Sequence, residues 1–358
     1  MNIDFHFGVI YLVGRLAGLD ITQATIVAHA CQYVDDSTVA GPLNFQEGQS
    51  FDRFASAHKL VDYRNYAANS DKRVWAPFHF LPSGEGNTFE EKCVCRPNSR
   101  VAQDMVRLAI AQRDAKNGLH RMVITLHVYV DTWAHQGFTG TLSPYNSVRD
   151  LSSEDHPRES LLTRLRDCMQ AAITVTESDL MDLLPRLGHG AALHLPDLPW
   201  AAWRYINGHN RLVERINLPD YVTAADMAHK AIAGFLSGCA DYLDGPGLSQ
   251  EARGALSELL GACRDDDPDQ RLQALRVAAS NGIIPGVREP IPDYIPKGRG
   301  SWKHMATGIV SKDDDGDQTP VWSQVFEESD YRKFHDAVRA HRVAVTEMIL
   351  PAYGVRLA

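Results

Sequence analysis

The chain has 358 residues, 44% hydrophobic and 23% charged, values of an ordinary globular protein rather than a disordered or fibrous one. Its 36 Lys and Arg against 45 Asp and Glu give a formal net charge of −9, which argues against stable nucleic-acid binding, an affinity built on cationic neutralisation of phosphates. It leaves open a small-molecule or lipid phosphoester held by bound metal ions, whose positive charge the sum omits.

The first segment, MNIDFHFGVIYLVGRLAGLD, is apolar but lacks a basic start and a small-residue cleavage site, so it reads as a helix rather than a signal peptide. Val9, Ile10, Val13 and Leu16 share one face of a helix over 5–18, and a second helix from Thr22 ends in Tyr33-Val34-Asp35-Asp36. Residues 40–98 carry the Gly, Pro and Asn of turns and long loops, in PLNF, APFHFLPSGEGN and CRPNS. Ser99 is an N-cap for an amphipathic helix over 100–115, and a strong helix covers 118–136. Further helices are expected over 158–183, 219–243, 248–263, 268–280 and 328–349, with loop over 283–321. No long alternating run is joined to another by a hairpin turn, so the expected fold class is mainly α. No apolar run approaches the ~18 residues of a membrane span. Six cysteines at irregular spacing (Cys31, Cys93, Cys95, Cys168, Cys239, Cys263) read as reduced thiols, which places the protein in the cytoplasm, with leaderless export as an effector still open.

The chemistry lies in the 15 histidines. At 100° per residue, His120, His127, Asp131 and His135 fall on one face of the helix over 118–136. Two turns, a rise of about 12 Å, separate His127 from His135, so one ion does not readily take both. A carboxylate halfway between two imidazoles suits a bridge in a multi-metal cluster. Three polar groups buried in an apolar helix need partners, and a structural hydrogen-bond network is the competing explanation. Further donors are spread along the chain: Asp4 and His6, His29, Asp35 and Asp36, His58 in SAHK, His79 in PFHFLP, and His189 with Asp197 in GHGAALHLPD, where His194 is a rival. This is the His and carboxylate mixture of hydrolytic zinc sites, with no cysteine needed. The acidic run Asp313–Asp317 lacks the glycine and closing Glu of a calcium loop and reads as solvated. Phosphate-binding glycine loops, G-x-S-x-G and H-E-x-x-H are absent.

The run LHVYVDTWAHQGF resembles the H-x3-D…H helix of the zinc-dependent phospholipase C and P1-type nuclease superfamily, and still more the LH-x3-D-x2-AH form of its heterokaryon-incompatibility-type relatives. The D-x-H start, QYVDD and the GHG…PD segment follow in the order in which that superfamily uses its ligands, and the wider phrasing is similar to an uncharacterised bacterial family of this type. The resemblance covers roughly residues 1–205. It implies a phospholipase C-like helical domain with long loops and two or three divalent ions, zinc first among them. His79 (or His58), His127 and Asp131 would hold the first, and His135, His189 and Asp197 the second. His6, with Asp131 bridging, would hold a third, with Asp4 taking the place of the processed N-terminal amine that secreted members use. Asp35 or Asp36 would match the carboxylate that activates the attacking water. The run of elements along the chain, apart from the resemblance, reads as a metal-binding helical domain over 1–245 with a helical C-terminal extension over 246–358 packed on it. The implied activity is a metal-dependent phosphoric ester hydrolase acting on a phospholipid or phosphodiester. Two other classes compete: a dinuclear iron or manganese oxygenase using the same His/Asp cluster, and a non-catalytic interaction protein in which the polar face is structural.

Overall fold

The computed structural model describes residues 1–58, 74–155, 188–311 and 319–357. Asp4–Val9 winds as a π-helix and continues as the α-helix Ile10–Leu16, together α1, with all of Asp4–Val9 buried. Helix α2 (Ile21–Asp36) starts at a reciprocal capping box between Asp20 and Gln23, which satisfies two otherwise orphaned amides. Ser99 caps α3 (Arg100–Ala111) by accepting from the Ala102 amide. Helix α4 (Gly118–Ala134) is apolar on nearly every side because α2, α3, α5 (Asn217–Ser237) and the late helix Asp330–Val343 all pack against it. Gly238, in the left-handed conformation that a helix end favours, closes α5. Ser249 and Asp267 cap α6 (Gln250–Ala262) and α7 (Pro268–Ser280), and Ser329 caps α8 (Asp330–Val343), which runs on into a second π-helical stretch, Ala344–Ile349.

The expectation of a mainly α protein is corrected by two antiparallel sheets, which make the chain largely helical but mixed α/β. Strands β1 (Gly41–Asn44) and β2 (Ser50–Arg53) form a hairpin, and β3 (Val148–Ser153), β4 (Ala202–Asn207) and β5 (Leu212–Ile216) form a three-stranded sheet in that order. The reason the pattern hides them is physical. In β4 the inward Trp203, Tyr205 and polar Asn207 alternate with Ala202, Arg204 and Ile206, two of which are apolar, so the period of two is blurred. Its partner β3 is polar and pairs across a long sequence gap, Val148 opposite Asn207.

Among the described residues one hydrophobic core threads the long helices, and Leu256, Leu272, Phe334 and Val338 from beyond residue 245 belong to it as fully as Ile10 and Leu126. A second, smaller core lies under the three-stranded sheet and contains Phe80, Phe138, Leu195, Trp200, Trp203 and Tyr205. Among the described residues no helix is long and apolar enough to cross a membrane, and none of the five described cysteines forms a disulfide. The expected helix over 158–183, the acidic run Asp313–Asp317 and Cys168 lie outside the described residues.

Candidate metal centre

Five segments converge at the boundary of the two cores. The C-terminal half of α4 supplies His127, Asp131 and His135, and the π-helical start of α1 supplies His6. The last turn of α2 supplies Asp35, and the loops after 74 and 188 supply His79, His189 and Asp197. His127 Nε2 lies 3.3 Å from Asp131 Oδ2 and 3.6 Å from Asp35 Oδ1. His79 Nδ1 lies 3.6 Å from Asp35 Oδ1 and 3.9 Å from Asp131 Oδ2. Asp35, His79 and His127 thus offer ligand atoms close enough together to hold one ion, with Asp131 Oδ2 beside them. A second grouping follows: His135 Nε2 is 3.7 Å from Asp197 Oδ1, and His189 Nε2 is 3.6 Å from Asp197 Oδ2. Asp131 turns its other oxygen, Oδ1, to His6 Nε2 at 3.1 Å and to the Met1 amino group at 2.8 Å, which is also 3.2 Å from Asp197 Oδ1.

Hydrogen bonds on the far side of each ring fix its tautomer. His127 Nδ1 donates to the Cys31 carbonyl at 2.9 Å, His79 Nε2 to the Ser56 carbonyl at 2.9 Å, His135 Nδ1 to the His79 carbonyl at 2.7 Å and His189 Nδ1 to the Leu193 carbonyl at 3.1 Å. A carbonyl only accepts, so each of those nitrogens carries the proton and the other presents a bare lone pair. In all four rings that lone pair faces a carboxylate. Among the described residues His6 Nε2, His127 Nε2, Asp131 Oδ2 and Asp197 Oδ1 have no aligned hydrogen-bond partner. Buried lone pairs aimed at one another are costly unless a cation lies between them. His6 Nδ1, the fifth case, sits 3.6 Å from Cys31 Sγ, and its ring stacks on His127 with centroids 4.0 Å apart.

Burial holds the His6 and His189 rings well below the usual range, at about 4, and drives His127 down as well. Burial pushes Asp131 up, but His135, the Met1 ammonium, His6 and His127 outweigh it and keep it ionised. Asp35 goes the other way: withdrawal from water, although 30% of its side-chain surface stays open, and the charge of Asp131 raise it well above the ordinary carboxylate range. It is the most open of these groups; Asp131, His6 and His127 are at most 1% exposed.

The structure brings together His6, His79, His127, Asp131, His135, His189, Asp197 and Asp35. Three expected site residues are placed elsewhere. Asp4 is a buried partner of Arg271, with Nε donating to Oδ2 at 2.7 Å and Nη2 to Oδ1 at 3.0 Å, so it is not free to ligate. Asp36 accepts from Tyr294 Oη at 2.6 Å, since a step of 100° along α2 carries it away from Asp35. His58 belongs to none of the groupings, and the loop that carries it meets the centre through the Ser56 carbonyl instead. His120 pairs with Asp330 on α8 at 3.0 Å, and His29 stacks on Trp302, both outside the centre. Cys31 is the residue that the sequence reading missed: it groups with His6 and His127, and it stands one turn before Asp35 on α2, a spacing that carried the signal. Gly188 is required where it stands. Its φ is +61°, and a Cβ there would meet the Phe80 ring at 2.3 Å, the ring that stacks on His135. Gly190 has open space and no such constraint.

The described residues therefore hold His/Asp/Cys groupings that can take metal ions. In comparisons with known proteins, one family model, described as a family of unknown function (DUF6765), matches residues 1–349. No curated protein and no solved structure matches.

Proposed function

The chain belongs to DUF6765, a family of unknown function, and from the site itself we propose that it is a metal-dependent hydrolase, a phosphoesterase that cleaves a phospholipid or another phosphodiester. The observation that carries the reading is the set of four imidazoles locked by backbone carbonyls into the tautomer whose free nitrogen faces Asp35, Asp131 or Asp197. Metal-ligating histidines are held in this way, by an acceptor on the opposite ring nitrogen. Asp35, His79, His127 and Asp131 would hold one ion, and His135, His189 and Asp197 a second. His6 with the other oxygen of Asp131 marks a third position. The donor set of nitrogen and carboxylate oxygen suits zinc. Zinc supplies Lewis acidity for an in-line displacement at phosphorus and a water acidic enough to react at neutral pH.

The protein's own residues divide the remaining work. Asp131 keeps its charge and links two positions through its two oxygens. Asp35 turns Oδ1 to His79 and His127, and its other oxygen, at the open edge, would orient the attacking water and accept its proton, the role of a general base within hydrogen-bond reach. Phe80, stacked on His135 with centroids 4.6 Å apart, keeps that side dry. This set differs from the one the phospholipase C-like resemblance implies in adding Asp35 to the first position and dropping Asp4 from the third.

The test is elemental analysis of protein purified without added metal, alongside turnover of a chromogenic aryl phosphodiester and of phosphatidylcholine vesicles. Two to three equivalents of zinc, with activity lost to a chelator and restored by zinc, is the expected result. Zinc-loaded protein inert on both substrates would overturn the phosphoesterase reading, and bound iron with oxygen consumption would replace it with an oxygenase.

A further inference from the structure

Asp4 is not a ligand, yet it sits two residues from His6, and its partner comes from far along the chain. Arg271, on α7, is only 3% exposed and uses its whole guanidinium. Nε and Nη2 make the two-pronged bond to Asp4, and Nη1 donates to the Asp265 and Asp266 carbonyls at 2.8 and 3.0 Å. Its Cζ lies 5.4 Å from the centroid of Trp200, three residues beyond Asp197. Around this bond the packing is close: a Cβ on Gly8 would meet Leu275 and Leu272 of α7 at 2.8 and 2.9 Å. Phe5 packs edge-on against Tyr221, whose hydroxyl donates to the Pro196 carbonyl at 2.9 Å.

We propose that Arg271 is a positioning residue of the metal centre, which ties the segment bearing His6 to the loop bearing Asp197. The inference rests on the metal-centre reading above. The segment bearing His6 is the buried π-helical start of α1, and the one bearing Asp197 is a single turn of 3-10 helix, Leu195–Asp197. A planar fork held at fixed angles sets the orientation of what it grips, which a point charge on a flexible stem does not. Through Arg271 the chain beyond residue 245 thereby takes part in the centre.

The experiment compares wild type with Asp4→Asn/Arg271→Met, which removes both buried charges and leaves neither unpaired. Replacing a buried pair in this way is often neutral for folding. Zinc per chain is measured on folded, monodisperse protein from size exclusion, and zinc release is followed against a chelator. Thermal melts of the metal-free chains are run in parallel. The expected result is similar metal-free melting but zinc release about 10- to 100-fold faster from part of the bound metal, the usual effect of losing an outer support. Arg271→Lys, which keeps the charge and loses the fork, falls between, and carries the comparison if the double variant does not fold. Unchanged zinc content and release in these variants would overturn the inference. Absence of zinc uptake by the wild type would instead overturn the metal-centre reading, and the inference with it.

Discussion

The two halves of α4 each bury histidines, and they do so to different ends. Toward its N-terminus, His120 pairs with Asp330, and Thr125 meets His341 Nδ1 at 3.4 Å while His341 Nε2 donates to the Pro77 carbonyl at 2.9 Å. Those rings have what they need from the protein. Toward its C-terminus, His127 and His135 spend one nitrogen on a carbonyl and aim the other at a carboxylate without an aligned proton between them. Burial alone does not mark a metal ligand, because His341 is as buried as His135. The direction of the second nitrogen does.

The sharpest way to break the comparison is Asp131→Asn. On the proposed reading the carboxylate would serve two positions through separate oxygens, so its loss should remove more metal than any single histidine change, taking the protein below one zinc per chain. Equal zinc in wild type and variant, by elemental analysis, would put this half of α4 in the same class as the other. Asp35→Asn should lower phosphodiester turnover by ~100-fold or more, whereas Asp36→Asn, which weakens the bonds from Tyr294 and Gln32, should cost about 1 kcal/mol of stability and leave turnover alone. Steady-state rates and denaturant melts on the pair decide this.

That pair also shows how far the sequence could be read. Helical stepping put His127, Asp131 and His135 on one face without any knowledge of the fold, and the glycine-flanked His189 was a local signal too. Asp35 and Asp36 were not separable, because the choice is made by Tyr294, 258 residues away. Asp4 looked like a ligand for the same reason: its partner, Arg271, is 267 residues distant. The three-stranded sheet was hidden by apolar residues on both faces of β4 and by a partner strand remote in sequence. Local periodicity was legible; the long-range partner that claims a polar group was not.

Acid gives a smaller effect with a definite sign. Burial lowers His6 and His189 in the centre to about 4, and His29 and His341 outside it likewise to about 4. Between the ordinary histidine value of 6.5 and that value the unfolded chain binds more protons than the folded one, so stability is present above the window and lost as pH falls through it. All four rings contribute to this in the metal-free chain. Only the centre's rings must also give up metal, so the gain in melting temperature from zinc should shrink as pH drops from 6.5 toward 4. A zinc increment that is flat across this range would separate the metal from these histidines. The least effect on zinc is expected from His341→Gln, which should leave zinc content unchanged while losing about 1–3 kcal/mol of stability from buried groups left unpaired.

The central claim is that the bare nitrogens on this half of α4 and its neighbours face metal. Anomalous diffraction at the zinc edge, from crystals of protein purified without added metal, tests it directly. The account predicts one peak bonded to His79 Nδ1 and His127 Nε2, and a second bonded to His135 Nε2 and His189 Nε2, each at about 2.0–2.1 Å. Ordered water in hydrogen-bond geometry at both places, with no anomalous signal, would contradict it.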